Sequence, residues 1–259
     1  MQKFKLTIFT GFIATFSFGQ NAEELNKKSK DFLDKQDFKN AIPLIRQAAE
    51  KGNAEAQYNL GVSYQQGIEV HASDSLANVW FLKSARQGWK DGQYKVAYSY
   101  ATGRGWTKDD KQAFFWSVKC AEQKDPECIF NVVNCYLEGR GTDKNLDSML
   151  AWATRLALLD NPENLQLSGQ ITSARANLAK MFRDGDNVKK DLVKSYTWFL
   201  IYNESKRDFS ILVQQQNIEN IKAIEKQLTQ SDRDKARLDA ERILNKKLTN
   251  LAQLYKQDL

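Results

Sequence analysis

Histidine occurs once in this sequence, as His71, and cysteine, proline and methionine occur 3 times each in 259 residues. A lone histidine with no cysteine or carboxylate cluster at ligand spacing gives no metal site, and it leaves a Ser–His or Cys–His catalytic arrangement without visible partners. The sequence also contains no GxSxG elbow, phosphate-binding P-loop, HExxH pair or dinucleotide fingerprint. The expectation is therefore a protein with no catalytic residues, no metal and no cofactor. His71 is read as a solvated loop residue.

Long apolar runs are just as scarce. The one present, Leu6 to Phe18, follows Lys3 and Lys5 and ends with small residues at Ser17 and Gly19. This reads as a secretory signal peptide over residues 1–19, cleaved before Gln20. Its thirteen residues fall short of the ~20 that a spanning helix needs. No cysteine follows the run, so lipid attachment is not expected. The product should be periplasmic or secreted, without stable membrane insertion and monomeric.

A strong charge bias is missing too. The formal net charge is +6, and it falls to +4 once Lys3 and Lys5 are removed. Basic and acidic residues alternate along the chain, and no basic stripe with interleaved aromatics appears. Nucleic acid is thus not an expected partner.

What the sequence does contain is a period. Tyr64 returns as Tyr100 and Tyr136, Gly67 as Gly103 and Gly139, and Trp80 as Trp116 and Trp152, each at intervals of 36 residues. A fourth copy follows a ten-residue insertion, residues 162–171, and carries Gly185 and Trp198. Such a period marks supersecondary units that bury their apolar faces only against neighbours. Within a unit, Ala56, Leu60 and Tyr64 share one helical face, and Gly67 falls where a left-handed residue ends a helix. Ser73, Asp109, Asn145 and Asp191 form a column of N-caps for the second helix, with Asp37 one period upstream of Ser73. After the cap, Ala77, Trp80, Phe81 and Ala85 make another apolar face. The fold class predicted is all-α, built of stacked antiparallel helix pairs. The tryptophan column is read as core packing rather than as a ligand ladder.

Ala56, Leu60, Gly61, Tyr64, Gly67, Ala77, Trp80, Lys83, Ala85 and Gly88 together resemble the Sel1-like repeat, a relative of the tetratricopeptide repeat. The resemblance implies a right-handed α-solenoid that acts mainly as a protein-binding scaffold. It implies four repeats over 54–207 (54–89, 90–125, 126–161 and 172–207). Residues 20–53 then form an N-terminal capping hairpin and 208–259 C-terminal capping helices. Gly61 becomes Ala97, Val133 and Ala179, so later repeats should stand slightly further apart. Glu69 replaces a loop glycine that returns as Gly105 and Gly141. In the C-terminal region, Ile218, Ile221, Ile224 and Leu228 form one stripe and Leu244, Leu248, Leu251 and Tyr255 a second. Ser231 with Asp234 reads as the cap between two helices. The insertion is either a lengthened helix end or a surface loop.

Two sets of residues are candidates for more than packing. Asn59, Lys95, Asn131 and Asn177 form a polar column on the first helices, with Ser63 and Ser99 one turn on. In tetratricopeptide relatives the first helices line the concave face, so these are the candidate partner-binding residues. Cys120 and Cys128, eight residues apart across a turn, have plausible disulfide spacing, whereas Cys128 and Cys135 lie two helical turns apart and cannot join. Free thiols packed in small-residue columns are the alternative. Some cysteine-rich Sel1-like proteins bridge neighbouring units at this spacing. The resemblance implies two narrower roles as well. One is an immunity protein that blocks a lipase effector of the type VI secretion system; the other is a cysteine-containing β-lactamase-type enzyme, for which no nucleophile and base are visible.

Overall fold

The computed structural model describes residues 9–205 and 211–251, which form twelve helices and no strand. The chain divides into two compact units, Met1–Gln123 and Lys124–Leu259. The first unit holds α1 (Phe9–Leu33), α2 (Phe38–Glu50), α3 (Ala54–Gln66), α4 (Asp74–Arg86), α5 (Lys90–Thr102) and α6 (Asp110–Ala121), each packed on the next. The second holds α7 (Pro126–Glu138), α8 (Leu146–Ala157), α9 (Leu165–Asp184), α10 (Leu192–Ser205), α11 (Ile211–Glu225) and α12 (Gln230–Leu244). There α7, α8, α9 and α10 pack in sequence, and both α11 and α12 pack on α10.

Helix ends follow the periodic columns. Gly67, Gly103, Gly139 and Gly185 stop α3, α5, α7 and α9 at φ of 71°, 76°, 76° and 81°, a region that glycine enters without a Cβ clash. Second helices start where hydrogen-bond acceptors were expected. The side chains of Asp37, Ser73, Asp109, Asn145 and Asp191 accept from the amides of Asn40, Leu76, Gln112, Ser148 and Lys194. First helices carry caps of their own in Asn53, Asp125 and Asn164.

Burial follows the helical period. In the first unit Ala56 and Leu60 join Ile42 and Ile45 in one cluster, and Ala77, Phe81, Ala85 and Val96 form another. Fully burying a side chain such as Phe81 is worth about 2–3 kcal/mol. Trp80 and Trp116 are half-buried against these two clusters, while Trp198 is buried among α8 to α12. Cations cover two of the half-buried rings, with Lys83 Nζ 3.9 Å from the Trp80 centroid and the Arg155 guanidinium 4.3 Å from that of Trp152. Gly61 sits against Phe81, whose ring atoms would lie 2.6 Å from any Cβ placed there.

Of the two readings of the insertion, the lengthened helix end is the one seen: α9 starts at Leu165, capped by Asn164, and runs for 20 residues against 13 in α3, α5 and α7. Other expectations change. The cap between the last two helices is Thr229 with Asp232 in a reciprocal capping box, two residues before the expected Ser231 and Asp234. The stripe Ile218, Ile221, Ile224 and Leu228 is buried as read. Its expected sequel is not one helix, because Asn245 turns left-handed at φ 51° and ends α12 at Leu244. Leu248 and Leu251 still reach the core, but from irregular chain, and Tyr255 lies outside the described residues. Of the expected signal peptide, Met1–Thr7 and Ile8 lie outside the described residues, while the backbone from Phe9 onward is helical and continuous with α1. No described helix is long and apolar enough to cross a membrane.

Candidate functional site

The polar column on the first helices divides between the two units. In the first, Asn59 on α3 is half-buried and uses its backbone carbonyl to accept from Ser63 Oγ at 2.9 Å. Lys95 on α5 is also half-buried. Its ammonium donates to Gln65 Oε1 at 3.1 Å and lies 5.9 Å from the Phe81 ring centroid. Burial pushes its pKa down, and nearby Arg104 adds to that, while Asp91 opposes it. In the second unit Asn131 on α7 is half-buried and Asn177 on α9 is exposed.

Ser63 and Ser99 do not belong to that surface. Both are buried, at 3% and 2% exposure, because four residues along a helix advance about 40° past a full turn, here toward the core. Ser99 Oγ donates to Asn78 Oδ1 at 2.7 Å, and Asn78 Nδ2 donates to the Arg104 carbonyl at 2.7 Å. Ser75 Oγ donates to the Gly105 carbonyl at 3.0 Å, and Arg104 pairs with Asp74 at 2.9 Å. These contacts clamp the loop after α5 onto the start of α4. Gly105, at φ 73°, lies so close that a Cβ would stand 2.6 Å from the Asp74 backbone carbon.

A second polar column lies in the core. Gln57 and Gln93 are buried on α3 and α5, one period apart, and donate to the carbonyls of Ala49 and Ala85. Arg175 takes the same place on α9 and donates to the Ala157 carbonyl at 2.8 Å. It also donates to the carbonyls of Leu159 and Ser205 and to Asn161 Oδ1. Burial pushes its pKa down to about 10, with Asp160 opposing. These side chains join neighbouring helices and are turned away from solvent. The recurrence of glutamine at Gln57 and Gln93, and at Gln87 and Gln123, was the signal that could have found them.

The first unit also exposes Leu76 and Val79 on α4 and Phe115 on α6, of which Val79 and Phe115 share a column. His71 is exposed in the loop between α3 and α4. Cys120 and Cys128 are each disulfide-bonded and so offer no thiolate to a metal or substrate, while Cys135 is buried outside any disulfide.

Compared with protein families, the chain matches the Sel1 repeat over residues 54–89, 90–125, 126–161 and 172–201. No curated protein matches the sequence. Among solved structures it is similar to a Sel1 repeat protein from Oxalobacter formigenes, at 21% identity and a TM-score of 0.61, covering 88% of this chain and 86% of that one. A second similar structure is c5321, a protective antigen of uropathogenic Escherichia coli displaying an SLR fold. It matches at 24% identity and a TM-score of 0.38, over 84% of this chain and 50% of the other. The first likeness carries the α-solenoid fold.

Proposed function

Because the chain belongs to the Sel1 repeat family, whose members generally mediate protein–protein interaction and are typically non-enzymatic scaffolds, we propose that it is an exported scaffold of the bacterial cell envelope. It binds one partner protein through the polar side chains of its first helices. The observation that supports this most directly is the placement of Asn59 and Lys95 on α3 and α5, half-buried and in the same repeat column. An amide there offers both a donor and an acceptor to a peptide backbone, and a partly desolvated ammonium favours a carboxylate. Asn131 and Asn177 extend the same chemistry to the second unit.

The test is capture from a periplasmic extract with the purified protein as bait, wild type beside an Asn59→Ala, Lys95→Ala double variant. One stoichiometric partner that the double variant no longer retains supports the proposal. Equal retention by both proteins removes this surface from it. Fractionation of cells expressing the full chain tests export, and cytoplasmic recovery of the uncleaved chain refutes it.

The narrower immunity role, blocking a type VI lipase effector, is one partner class within this scheme. Co-expression with such a phospholipase, giving no protection, excludes it. Catalysis is not part of the proposal, since His71 is solvent-exposed in a loop and two of the three cysteines are disulfide-bonded. Nitrocefin turnover abolished by a point substitution would overturn that.

A further inference from the structure

The second unit contains a half-open cavity of about 660 Å³ enclosed by α7, α8 and α9. Its floor is apolar: Val133 from α7, Met149, Ala153 and Leu156 from α8, and Met181 from α9. Asn134, Gln170, Asn177 and Asn187 bring carboxamide-bearing residues to the lining. None of the lining residues is charged.

Two features build it. The first is a small side chain. Ala153 stands in the column held by Phe81 and Phe199, both completely buried, in the first and fourth repeats and by Ser117 in the second, and it fills less space than either ring. The second is the insertion. The added N-terminal turns of α9 bring Gly169 and Gln170 to the cavity wall, so the lengthened helix forms part of the site.

The volume falls within the range of about 300–1,000 Å³ typical of small-molecule sites, and it exceeds what one partner side chain occupies. With no cation in the lining to hold a carboxylate or phosphate and no anion to hold an amine, a charged ligand would be desolvated without compensation. We propose that this cavity binds a small, uncharged, lipophilic molecule. The cavity shares Asn177 with the proposed partner-binding column, and its ligand class goes beyond that role.

The test uses N-phenyl-1-naphthylamine, which is neutral and apolar, titrated by fluorescence into the full-length protein. Saturable one-to-one binding is expected. The sulfonated analogue 8-anilino-1-naphthalenesulfonate, with the same rings and one added charge, should bind about tenfold or more weakly. Ala153→Phe places a ring in the cavity floor and should abolish saturable binding. Ser173→Trp places bulk at the mouth from an exposed lining position, so it tests the site even if the interior variant does not fold. Binding that survives both substitutions, or equal affinity for the two dyes, overturns the proposal, as does the absence of saturable binding by wild type.

Discussion

Gln57 and Gln87 share a hydrogen bond of 2.7 Å between their carboxamides, and one repeat later Gln93 and Gln123 share one of 2.8 Å. Arg175 and Ser205 complete the series at 3.2 Å, through the serine carbonyl. In every case the partners are 30 residues apart, so the joint links a first helix to the end of the hairpin that it opens.

The arginine version should be the most sensitive of the three. Arg175→Met leaves the carbonyls of Ala157, Leu159 and Ser205 without this donor and should cost about 2–4 kcal/mol. Arg175→Gln keeps an amide for Ala157, as the other repeats do, and should cost about half as much. Urea titrations with an unchanged slope and shifted midpoints measure both. Equal losses for the two variants would show that the shared alanine contact contributes nothing.

Glu204 should make the second unit acid-sensitive. Its carboxylate accepts from the amides of Thr249 and Asn250 and from the Thr249 hydroxyl, each at 2.9 Å, and pairs with Lys246 at 3.3 Å. Burial alone would raise its pKa, yet these donors together hold it below the usual carboxylate value. A carboxyl group depressed in the folded state stabilises fully above its unfolded pKa, and the contribution fades as pH falls through the folded value. Glu204→Gln should therefore lower the melting temperature at pH 7, and the gap from wild type should close as pH falls below about 4. A gap that is constant with pH would mean that the charge plays no part.

Two positions in one loop column should respond in opposite directions. Glu69 adopts φ 53° where Gly105 and Gly141 stand in later repeats, so Glu69→Gly should raise stability by about 0.5 kcal/mol. Gly105→Ala combines the left-handed strain with a clash against the Asp74 backbone and should cost about 2 kcal/mol or more. Thermal melts of the two variants give the signs directly.

The cysteines make a count that mass spectrometry can check. With Cys120 and Cys128 disulfide-bonded and Cys135 outside any disulfide, alkylation of the denatured, unreduced protein should add one adduct, rising to three after reduction. Three adducts before reduction would show that the bond is not formed.

How much was legible depended on how local each signal is. Ser73, Asp109, Asn145 and Asp191 cap helices by bonding three residues ahead, and Gly67 and its counterparts end helices by their own φ, so a single repeat contains the whole cause. The Gln57–Gln87 joint is set by packing at a spacing of 30, out of step with the 36-residue period, so the recurrence of glutamine at 57 and 93 and at 87 and 123 shows two columns without showing that they pair. Two overlapping cap patterns, Thr229 with Asp232 and Ser231 with Asp234, were equally readable, and the helix starts at the earlier one, directly after buried Leu228. The end of α12 at Asn245 carries neither glycine nor proline to announce it. Of the candidate surface, Asn59, Lys95, Asn131 and Asn177 lie outside the fully buried set, whereas burial of Ser63 and Ser99 depended on a rotation of about 40° that residue type does not reveal.

The 30-residue joints also bear on how the chain matures. Because the partners of each glutamine pair are so near in sequence, closing a hairpin loses little chain entropy, and assembly can begin at any repeat and spread to its neighbours. A polypeptide emerging from a ribosome would finish each joint shortly after its second glutamine appears, without waiting for the far terminus.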